Sequence, residues 1–389
     1  AMINHYCFAG KATFRDRFRV LVAGGGTGDT TIFLAEQLRD TDAEIVHLDF
    51  SSASLAVAQE RAAIRGLQNI RWIHESLLNL PDLDVGMFDY INCVGVLHHL
   101  ADPDAGLNAL LAVLKGNGAM GVMVYAAYGR TGVYQMQSLM RLINASESTH
   151  SQQIGNAHQI LNCLPPTNWF KRGEALYGDH RNGDAGIYDL LLHSQDRAYT
   201  VGQLYDWLVD THELNIEFTD VERGRSSYLP HLVMGNSRPE VLKTIRAMPT
   251  RKQYEIAELF HGRVQMHSFY LTRSAAAKAI YGDPDCIPFL FHEPVTGPEL
   301  ADVFARSQGQ PFVLDHAHTG VSITINPGRF GPAILRHIDG RNSFRKIFTL
   351  VRRDPTFRTL APRDEVLFAD FKEIYETLNA LERMLLRSA

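Results

Sequence analysis

Near the N-terminus, a group of glycines and an acid directly follow an apolar run. Residues Arg19–Ala23 (RVLVA) end in Gly24–Gly28 (GGGTG), and Asp29 comes next. Glycines allow positive φ angles and let the backbone approach a ligand closely. A helix that begins after them offers unpaired N–H groups and a partial positive charge. The arrangement is typical of a nucleotide cradle, although a tight turn without a ligand would use the same residues.

Two familiar phosphate cradles fit this loop poorly. A dinucleotide-binding loop would place a third glycine where Asp29 stands, and a nucleoside-triphosphate loop would end in Gly-Lys-Ser or Gly-Lys-Thr, which does not follow here. A carboxylate at position 29 would repel a pyrophosphate but would tolerate a ligand with cationic groups. The loop therefore favours a nucleotide-like ligand of another kind.

Short apolar runs alternate with helical patterns through the first third of the chain. The predicted strands are 19–23, 44–49, 70–74, 88–94 and 119–125, the last after a turn at 115–118. The predicted helices are 30–39, with Asp29 or Thr30 as N-cap, 51–65 and 105–114. This alternation predicts an α/β fold with a doubly wound, mostly parallel sheet, which binds ligands at the carboxyl ends of its strands.

The segment 19–125 resembles the class I (Rossmann-like, seven-stranded) S-adenosylmethionine-dependent methyltransferase family at four places in the right order. Gly24–Gly28 resembles the first motif, and Asp49 matches the acid after the second strand. Glu75–Leu77 matches the acidic and adenine-binding positions after the third strand. Phe88–Tyr90 together with Val96–Leu100 resembles the fourth-strand motif. The resemblance implies S-adenosylmethionine as cofactor and S-adenosylhomocysteine as product.

The resemblance also implies which residues bind the cofactor. They lie at the strand ends: Gly24, Gly25, Gly26, Thr27, Gly28, Asp29, Asp49, Phe50, Glu75, Ser76, Leu77, Val94 and His98. Asp49 would take both ribose hydroxyls, since a carboxylate only accepts hydrogen bonds. Family members usually carry an acid two positions before the first glycine, where this chain has Val22. Our hypothesis is that Asp29 replaces it.

Methyl transfer depends mainly on placing the acceptor and excluding water, so a catalytic side chain is optional. If the acceptor must lose a proton, His99 and Tyr128 are the candidate catalytic residues. The candidate substrate contacts are Tyr125, Arg130, Trp169, His193, Arg197 and Tyr199. Each has a structural alternative, such as loop hydrogen bonding, core packing or helix capping. The insertion at about 129–200 is predicted to form a cap over the acceptor.

Two later strands, at 215–220 and 266–273 with helical sequence at 239–261 between them, would complete the family's sheet. We therefore predict a methyltransferase domain over 1–275 and a smaller α+β domain over 284–389, for recognition or for homodimer formation. Its helical segments at 331–350 resemble, in layout, a winged-helix-like module found in some bacterial protein lysine methyltransferases. His316 and His318 with Asp315 are interpreted as surface residues, so no metal site is expected.

The charge balance favours small or uncharged partners. The 389 residues include 38 basic and 43 acidic side chains, well mixed, which gives a formal net charge of −5. Nucleic acid and membrane surfaces are attracted by a large electrostatic field of one sign, which well-mixed charges do not produce, so both are disfavoured as partners. No apolar run reaches the roughly 18 residues that a membrane span needs. The Asn-Pro-Pro-Tyr type of signature of amino-directed nucleic-acid methyltransferases is absent at Asn92–Gly95 (NCVG).

Four widely spaced cysteines predict reduced thiols and a cytoplasmic location. The predicted function is methyl transfer to a nitrogen or oxygen nucleophile, with a slight preference for a protein or peptide side chain. The alternatives are a small-molecule acceptor, or a cofactor-binding interaction protein of low activity.

Overall fold

A computed structural model describes residues 1–15, 17–144, 148–219, 224–235, 240–292, 294–307, 310–316 and 321–388. Its main sheet has eight strands: β1 Arg19–Ala23, β2 Glu44–Asp49, β3 Ile70–His74, β4 Phe88–Val94, β5 Leu114–Ala126, β6 Ala198–Tyr199, β7 Asn215–Thr219 and β8 Met266–Thr272. The order is β3-β2-β1-β4-β5-β8-β7, and β6 pairs with the end of β5. Strands β1 to β5 are mutually parallel, whereas β8 is antiparallel to both β5 and β7. The predicted doubly wound, mostly parallel sheet is confirmed.

Sixteen α-helices are described within these ranges. They are α1 Met2–Cys7, α2 Asp29–Gln37, α3 Ser52–Ile64, α4 Pro103–Ala112, α5 Thr131–Ile143, α6 His150–Cys163, α7 Trp169–Gly173, α8 Asp184–Ile187, α9 Val201–Leu204, α10 Pro230–Val233, α11 Val241–Arg246, α12 Thr250–His261, α13 Gly297–Arg306, α14 Gly331–Arg336, α15 Phe344–Arg353 and α16 Asp364–Ala380. The last four lie in the C-terminal third.

Burial of the central strands explains why the apolar runs form this sheet. Leu21 of β1, Val46 of β2 and Ile91 of β4 are fully buried neighbours in one core cluster. A strand buried on both faces must be apolar at nearly every position, which is the pattern that the sequence shows. The sheet therefore fixes where each strand ends.

Two local predictions were wrong. Helix α2 has Gly28 as its N-cap, with φ +94, instead of Asp29 or Thr30, because a left-handed glycine turns the chain directly into the helix. The turn predicted at 115–118 belongs to β5, which begins at Leu114 opposite Phe88. Lys115 supports this extension through its ammonium, 2.8 Å from the Asp89 carboxylate.

Two residues of later predicted elements lie outside the described residues. They are Asp220 of the sixth predicted strand and Pro239 of the helical stretch.

The segment between β5 and β6 packs around a small core of its own. Val133 and Met136 of α5 and Phe170 of α7 belong to it, together with Tyr177 and Leu190 from the segments that follow α7 and α8. Gly132 permits a close approach of α5 to α7, since a Cβ there would lie 2.6 Å from the backbone of Phe170. That this segment covers an acceptor stays a prediction.

The C-terminal third has a separate hydrophobic cluster that includes Ile334, Phe344, Phe348 and Phe371. Four further strands form two antiparallel pairs: β9 Ile287–Leu290 with β12 Met384–Arg387, and β10 Phe312–His316 with β11 Val321–Ile325. The predicted helix, turn, helix corresponds to α14 and α15. The boundary at 275–284 stays a prediction.

Helix α1 ties the two ends of the chain together, which the sequence did not indicate. The Tyr6 ring stacks on Tyr270 of β8 with centroids 5.6 Å apart. His5 is fully buried; its Nδ1 lies 3.1 Å from the Leu386 carbonyl oxygen and its Nε2 lies 3.2 Å from the Asn379 amide nitrogen. The Leu386 N–H also lies 3.0 Å from Nδ1, so both backbone groups of Leu386 meet this ring nitrogen.

Within the described ranges, no helix combines the length and apolar character that crossing a membrane requires. The same ranges hold no group of three or more His, Cys, Asp or Glu side chains suited to a metal ion. Of the predicted surface histidines, His318 lies outside the described residues.

Burial, together with Lys278 and Arg225, lowers the His5 pKa to about 3, against 6.5 in the unfolded chain. Because the unfolded chain then binds the extra proton, the free energy of unfolding falls as the pH drops from 6.5 towards 3. We expect His5→Gln to reduce this slope by up to about 1.4 kcal/mol per pH unit. Urea unfolding across this pH range measures it, with His158→Gln, an exposed histidine, as control. An unchanged slope in His5→Gln would contradict the assignment.

Candidate functional site

The glycine loop crosses the carboxyl end of β1 with its backbone held from below. The N–H groups of Gly24 and Gly25 both donate to the Leu48 carbonyl oxygen, at 2.8 and 3.1 Å. Gly24 has φ +68, and a Cβ there would lie 2.4 Å from the Val96 side chain, so only glycine fits. Gly26 has φ +53 with no atom within 4 Å of the Cβ position. The upper side of the loop is therefore open to a ligand.

Asp49, at the end of β2, connects the second strand to this loop. Its Oδ2 accepts the Gly26 N–H at 2.7 Å and its Oδ1 accepts the Ser51 N–H at 2.8 Å. A carboxylate has about four acceptor positions, so two remain for hydroxyl donors. Phe50, the next residue, is 78% exposed and presents an apolar ring beside the loop. The pair offers hydrogen-bond acceptors beside an apolar surface, as a nucleoside requires.

Glu75 and its neighbours occupy the end of β3. The Glu75 carboxylate accepts from the Ser76 N–H at 2.7 Å and from the Asn79 amide at 2.9 Å, and these bonds lower its pKa. The Ser76 hydroxyl caps the following turn by accepting from the Leu78 N–H at 3.3 Å. Leu77 is buried in the main core. Glu75 is thus kept as a carboxylate at the same edge as Asp49.

Asp29 is directed to a different partner. Its carboxylate lies 2.5 Å from a terminal nitrogen of Arg61 on α3, and its side chain is 81% exposed. Another terminal nitrogen of Arg61 donates to the Thr27 carbonyl oxygen at 2.7 Å. Arg61 therefore links the loop to α3, and Asp29 would have to share its charge between Arg61 and any cationic ligand group.

His47 was missed by the sequence analysis. It is fully buried beneath the loop, with Nδ1 2.8 Å from the Thr31 hydroxyl and its ring 4.9 Å from that of Trp72. Burial lowers its pKa, which favours the neutral imidazole. A histidine within the otherwise apolar run 45–48 was the available signal.

A second group of side chains lies at the carboxyl ends of β4 and β5. His98, His99, Tyr125 and His193 form what we call the aromatic cluster: the His98 ring lies 4.0 Å from Tyr125 and 4.1 Å from His99, and His99 lies 4.2 Å from His193. The structure thus brings together four residues that the sequence placed up to 95 positions apart. Val94, 43% exposed, ends β4 beside the cluster.

Burial sets the protonation states in the aromatic cluster. His98 is 1% exposed, and burial lowers its pKa to about 2, helped by His99 and Arg130. Burial likewise raises the pKa of Tyr125 to about 12. Both groups are therefore neutral at pH 7. Neither ring nitrogen of His98 has a hydrogen-bond partner within the described part of the chain.

His99 has a defined tautomer. Its Nδ1 lies 2.9 Å from the Gln195 carbonyl oxygen, which can only accept. The neutral ring therefore carries its proton on Nδ1 and its lone pair on Nε2. A half-buried imidazole with a free lone pair can take a proton from a neighbouring group.

Arg130 and Asp196 form a buried ion pair against the aromatic cluster. The Arg130 guanidinium carbon lies 3.6 Å from the centre of the Tyr125 ring, and its Nη2 lies 3.5 Å from Asp196 Oδ2. Asp196 also accepts from the Tyr134 hydroxyl at 3.1 Å and from the Gln137 amide at 2.7 Å. The sequence analysis named Arg130 but not these three partners.

The remaining predicted residues lie around this centre or apart from it. Arg197 reaches it through its backbone, whose N–H donates to the His98 carbonyl oxygen at 3.1 Å. Tyr199 is buried and stacks on Trp207. Tyr128 is 39% exposed just beyond β5. Trp169 is 57% exposed, and its contacts are with Arg172 and the Gln135 amide.

Removing Asp196 would leave Arg130 charged and buried without its counter-ion. We expect Asp196→Ala to lower the free energy of unfolding by about 3–5 kcal/mol. In the control variant Asp184→Ala, which removes a carboxylate that is 72% exposed, we expect a change within about 0.5 kcal/mol. Urea denaturation measures both, and equal effects of the two substitutions would show that the pair is not structurally important.

Comparisons with known proteins bear on this edge of the sheet. The family described as "Methyltransferase domain" matches residues 21–120. An uncharacterized protein of Synechococcus is 32% identical over 285 residues, 72% of this chain and 66% of the relative. Demethylmenaquinone methyltransferase of Thermus thermophilus is 35% identical over 107 residues, which cover 28% of this chain and 47% of that enzyme. The chain therefore spans less than two thirds of these relatives.

A solved structure matches nearly the whole chain. The structure of PKMT2 from Rickettsia typhi superposes with a TM-score of 0.65 at 14% identity, covering 99% of this chain and 74% of that one. This likeness establishes a shared fold. The matched segment 21–120 holds the glycine loop, Asp49, Glu75 and the His98–His99 pair at the same sheet edge. Residues 21–120 thus match a methyltransferase domain, and the fold shared with PKMT2 extends over nearly the whole chain.

Proposed function

We propose that this protein transfers the methyl group of S-adenosylmethionine to a nitrogen or oxygen nucleophile held at the aromatic cluster. The observation that carries the proposal is the continuity of one sheet edge. A glycine loop open above Gly26 and the acceptor oxygens of Asp49 lie over β1 and β2, and neutral polar groups follow at the ends of β4 and β5.

The residues present fit the cofactor. Asp49 would bind the ribose hydroxyls, Gly24–Gly28 would lie against the methionine part, and Phe50 with Glu75–Leu77 would hold the adenine. The open space above Gly26 supports this fit, because a side chain there would occupy it. The bound cofactor supplies a sulfonium whose methyl group is electrophilic. The chain's own residues then have to place the acceptor and exclude water.

His99, at the edge of the aromatic cluster, would accept the proton that the acceptor loses. His99 carries its lone pair on Nε2 because Nδ1–H is engaged by the Gln195 carbonyl oxygen. A nitrogen or oxygen acceptor that loses a proton on methylation would deliver it to this nitrogen. Tyr128, exposed beyond β5, would line the entrance for the acceptor.

For the acceptor, we propose a protein or peptide side chain. Support comes from the likeness to Rickettsia typhi PKMT2, which extends through the C-terminal third, and from the substantial segment between β5 and β6. Two demethylmenaquinone methyltransferases match only 28% and 24% of this chain, so they bear less on the acceptor. The additional region 284–389 would provide a surface large enough to bind a macromolecule.

Incubation with methyl-labelled S-adenosylmethionine and a fractionated lysate tests the proposal. We expect label in the macromolecular fraction, together with S-adenosylhomocysteine. Label confined to small molecules would overturn the acceptor class. Cofactor binding without transfer to any fraction would favour a cofactor-binding interaction protein.

The role of Asp49 predicts a specific loss of affinity. Asp49→Ala removes two charge-assisted acceptors and the anchor of the Gly26 N–H, so we expect the Kd for S-adenosylmethionine to rise about 30- to 150-fold. Isothermal titration measures the Kd. Asp42→Ala, which removes an exposed carboxylate before β2, should leave it unchanged. Equal affinities in Asp49→Ala and wild type would rule out this binding mode.

The role of His99 predicts a loss of rate without a loss of cofactor. We expect His99→Ala to lower kcat by about 10²- to 10⁴-fold towards the labelled acceptor fraction, with the cofactor Kd within about twofold of wild type. His158→Ala, on the exposed face of α6, is the control. A normal kcat in His99→Ala would instead make this residue a support of the loop around Gln195.

A further inference from the structure

Arg130 has two donor groups that its protein partners leave unused. Its side chain is 3% exposed, yet Nε and Nη2 both lack a hydrogen-bond partner within the described part of the chain. These two nitrogens belong to one edge of the planar guanidinium, where their N–H bonds form a fork. Leaving a buried donor unpaired is destabilising, and more so when the group is charged. The fork therefore has the properties of a binding edge.

Asp196 does not fill this edge. It stands 3.5 Å from Nη2, beyond close hydrogen bonding, and makes no contact of that kind with Nε. Its two oxygens are taken by the Tyr134 hydroxyl and the Gln137 amide, and Gln137 is itself held by the Leu190 carbonyl oxygen at 3.0 Å. This network fixes the carboxylate and balances the guanidinium charge from one side. It leaves the fork available.

The fork lies beside the proposed acceptor. The guanidinium stacks on Tyr125 at 3.6 Å, and the same ring lies 4.0 Å from His98 and 5.6 Å from His99. Tyr125, His99 and His193 are only partly buried, so they form the accessible side of this group. The two Arg130 nitrogens have no accessible surface of their own, so a ligand seated on these rings would have to displace side chains to reach them.

We propose that Arg130 binds a carboxylate of the acceptor through Nε and Nη2, an inference that rests on the proposed function and specifies its substrate class. Two parallel N–H donors match the two oxygens of a carboxylate, whereas a neutral amide carbonyl offers one oxygen. The imidazoles of His99 and His193 lie 4.2 Å apart on the accessible side of the same group. The acceptor side chain would thus neighbour a free acid, such as a chain terminus or an acidic residue.

The test uses acetate and benzoate as probes, with acetamide and benzamide as matched neutral compounds. The protein is first saturated with S-adenosylhomocysteine, whose Kd is measured separately, and binding is read from the histidine Cε1–H resonances. In wild type we expect each carboxylate to bind at least about tenfold more tightly than its amide, the equivalent of one retained contact of about 1.4 kcal/mol. The Arg130 Nε–H resonance should shift with each carboxylate and with neither amide.

Two variants complete the design. Arg130→Lys keeps a cation beside Asp196 but removes the fork, so the preference for carboxylate should fall below about threefold. Arg141→Lys, an exposed arginine of the same region bonded to the Ser138 hydroxyl, should retain it. Thermal unfolding checks that both variants fold. If Arg130→Lys does not fold, the comparison of carboxylate and amide binding to the wild type is decisive alone.

Two results would overturn the inference: equal binding of benzoate and benzamide to wild type, or an undiminished preference in folded Arg130→Lys. Failure of the proposed function is a separate outcome, because it would appear as absent binding of S-adenosylhomocysteine before any probe is added.

Discussion

The hydrogen bond from the Gly26 N–H to the Asp49 carboxylate joins the two strand ends on which the site depends. It spans 2.7 Å and links the loop after β1 to the end of β2. Asp49, the acid that would bind a nucleoside, therefore also holds the backbone of the glycine loop. A carboxylate in this position stays partly unsatisfied, since backbone donors take only two of its acceptor positions.

The parallel sheet brings the aromatic cluster to the same edge as the glycine loop. Because β1, β2, β4 and β5 run in one direction, their carboxyl ends share one edge, and every group that follows a strand arrives there. The aromatic cluster is reached by two routes: His98 and His99 follow β4, whereas His193 arrives from the segment before β6. The short pairing of β6 with the end of β5 holds that segment against Tyr125. The glycine loop and the aromatic cluster are thus positioned by the same strands.

Local patterns were enough to predict the strands and the loop. Apolar runs bounded by glycines and polar residues gave the strand ends within a few residues, and Asp49 and Glu75 lie at two of these ends, as predicted. The N-cap of α2 was misplaced because glycine at the cap depends on a backbone angle that residue type does not reveal.

Contacts between distant segments could not be predicted. Asp196 meets Arg130 across 66 positions and His5 meets Leu386 across 381, and neither pairing leaves a periodic trace in the sequence. The pairing of Asp29 with Arg61 has the same origin: helix α3 brings the arginine over the loop. Val22 lies in the buried strand β1, which contains no acidic residue. The position at which family members usually carry an acid is therefore apolar in this chain.

A crystal structure of the protein with S-adenosylhomocysteine would show directly whether Asp49 binds the nucleoside. We expect ribose hydroxyls within hydrogen-bond distance of the Asp49 carboxylate and a sulfur that faces the His98, His99 and Tyr125 rings. A nucleoside bound away from Asp49, or a sulfur directed towards β3, would contradict this expectation.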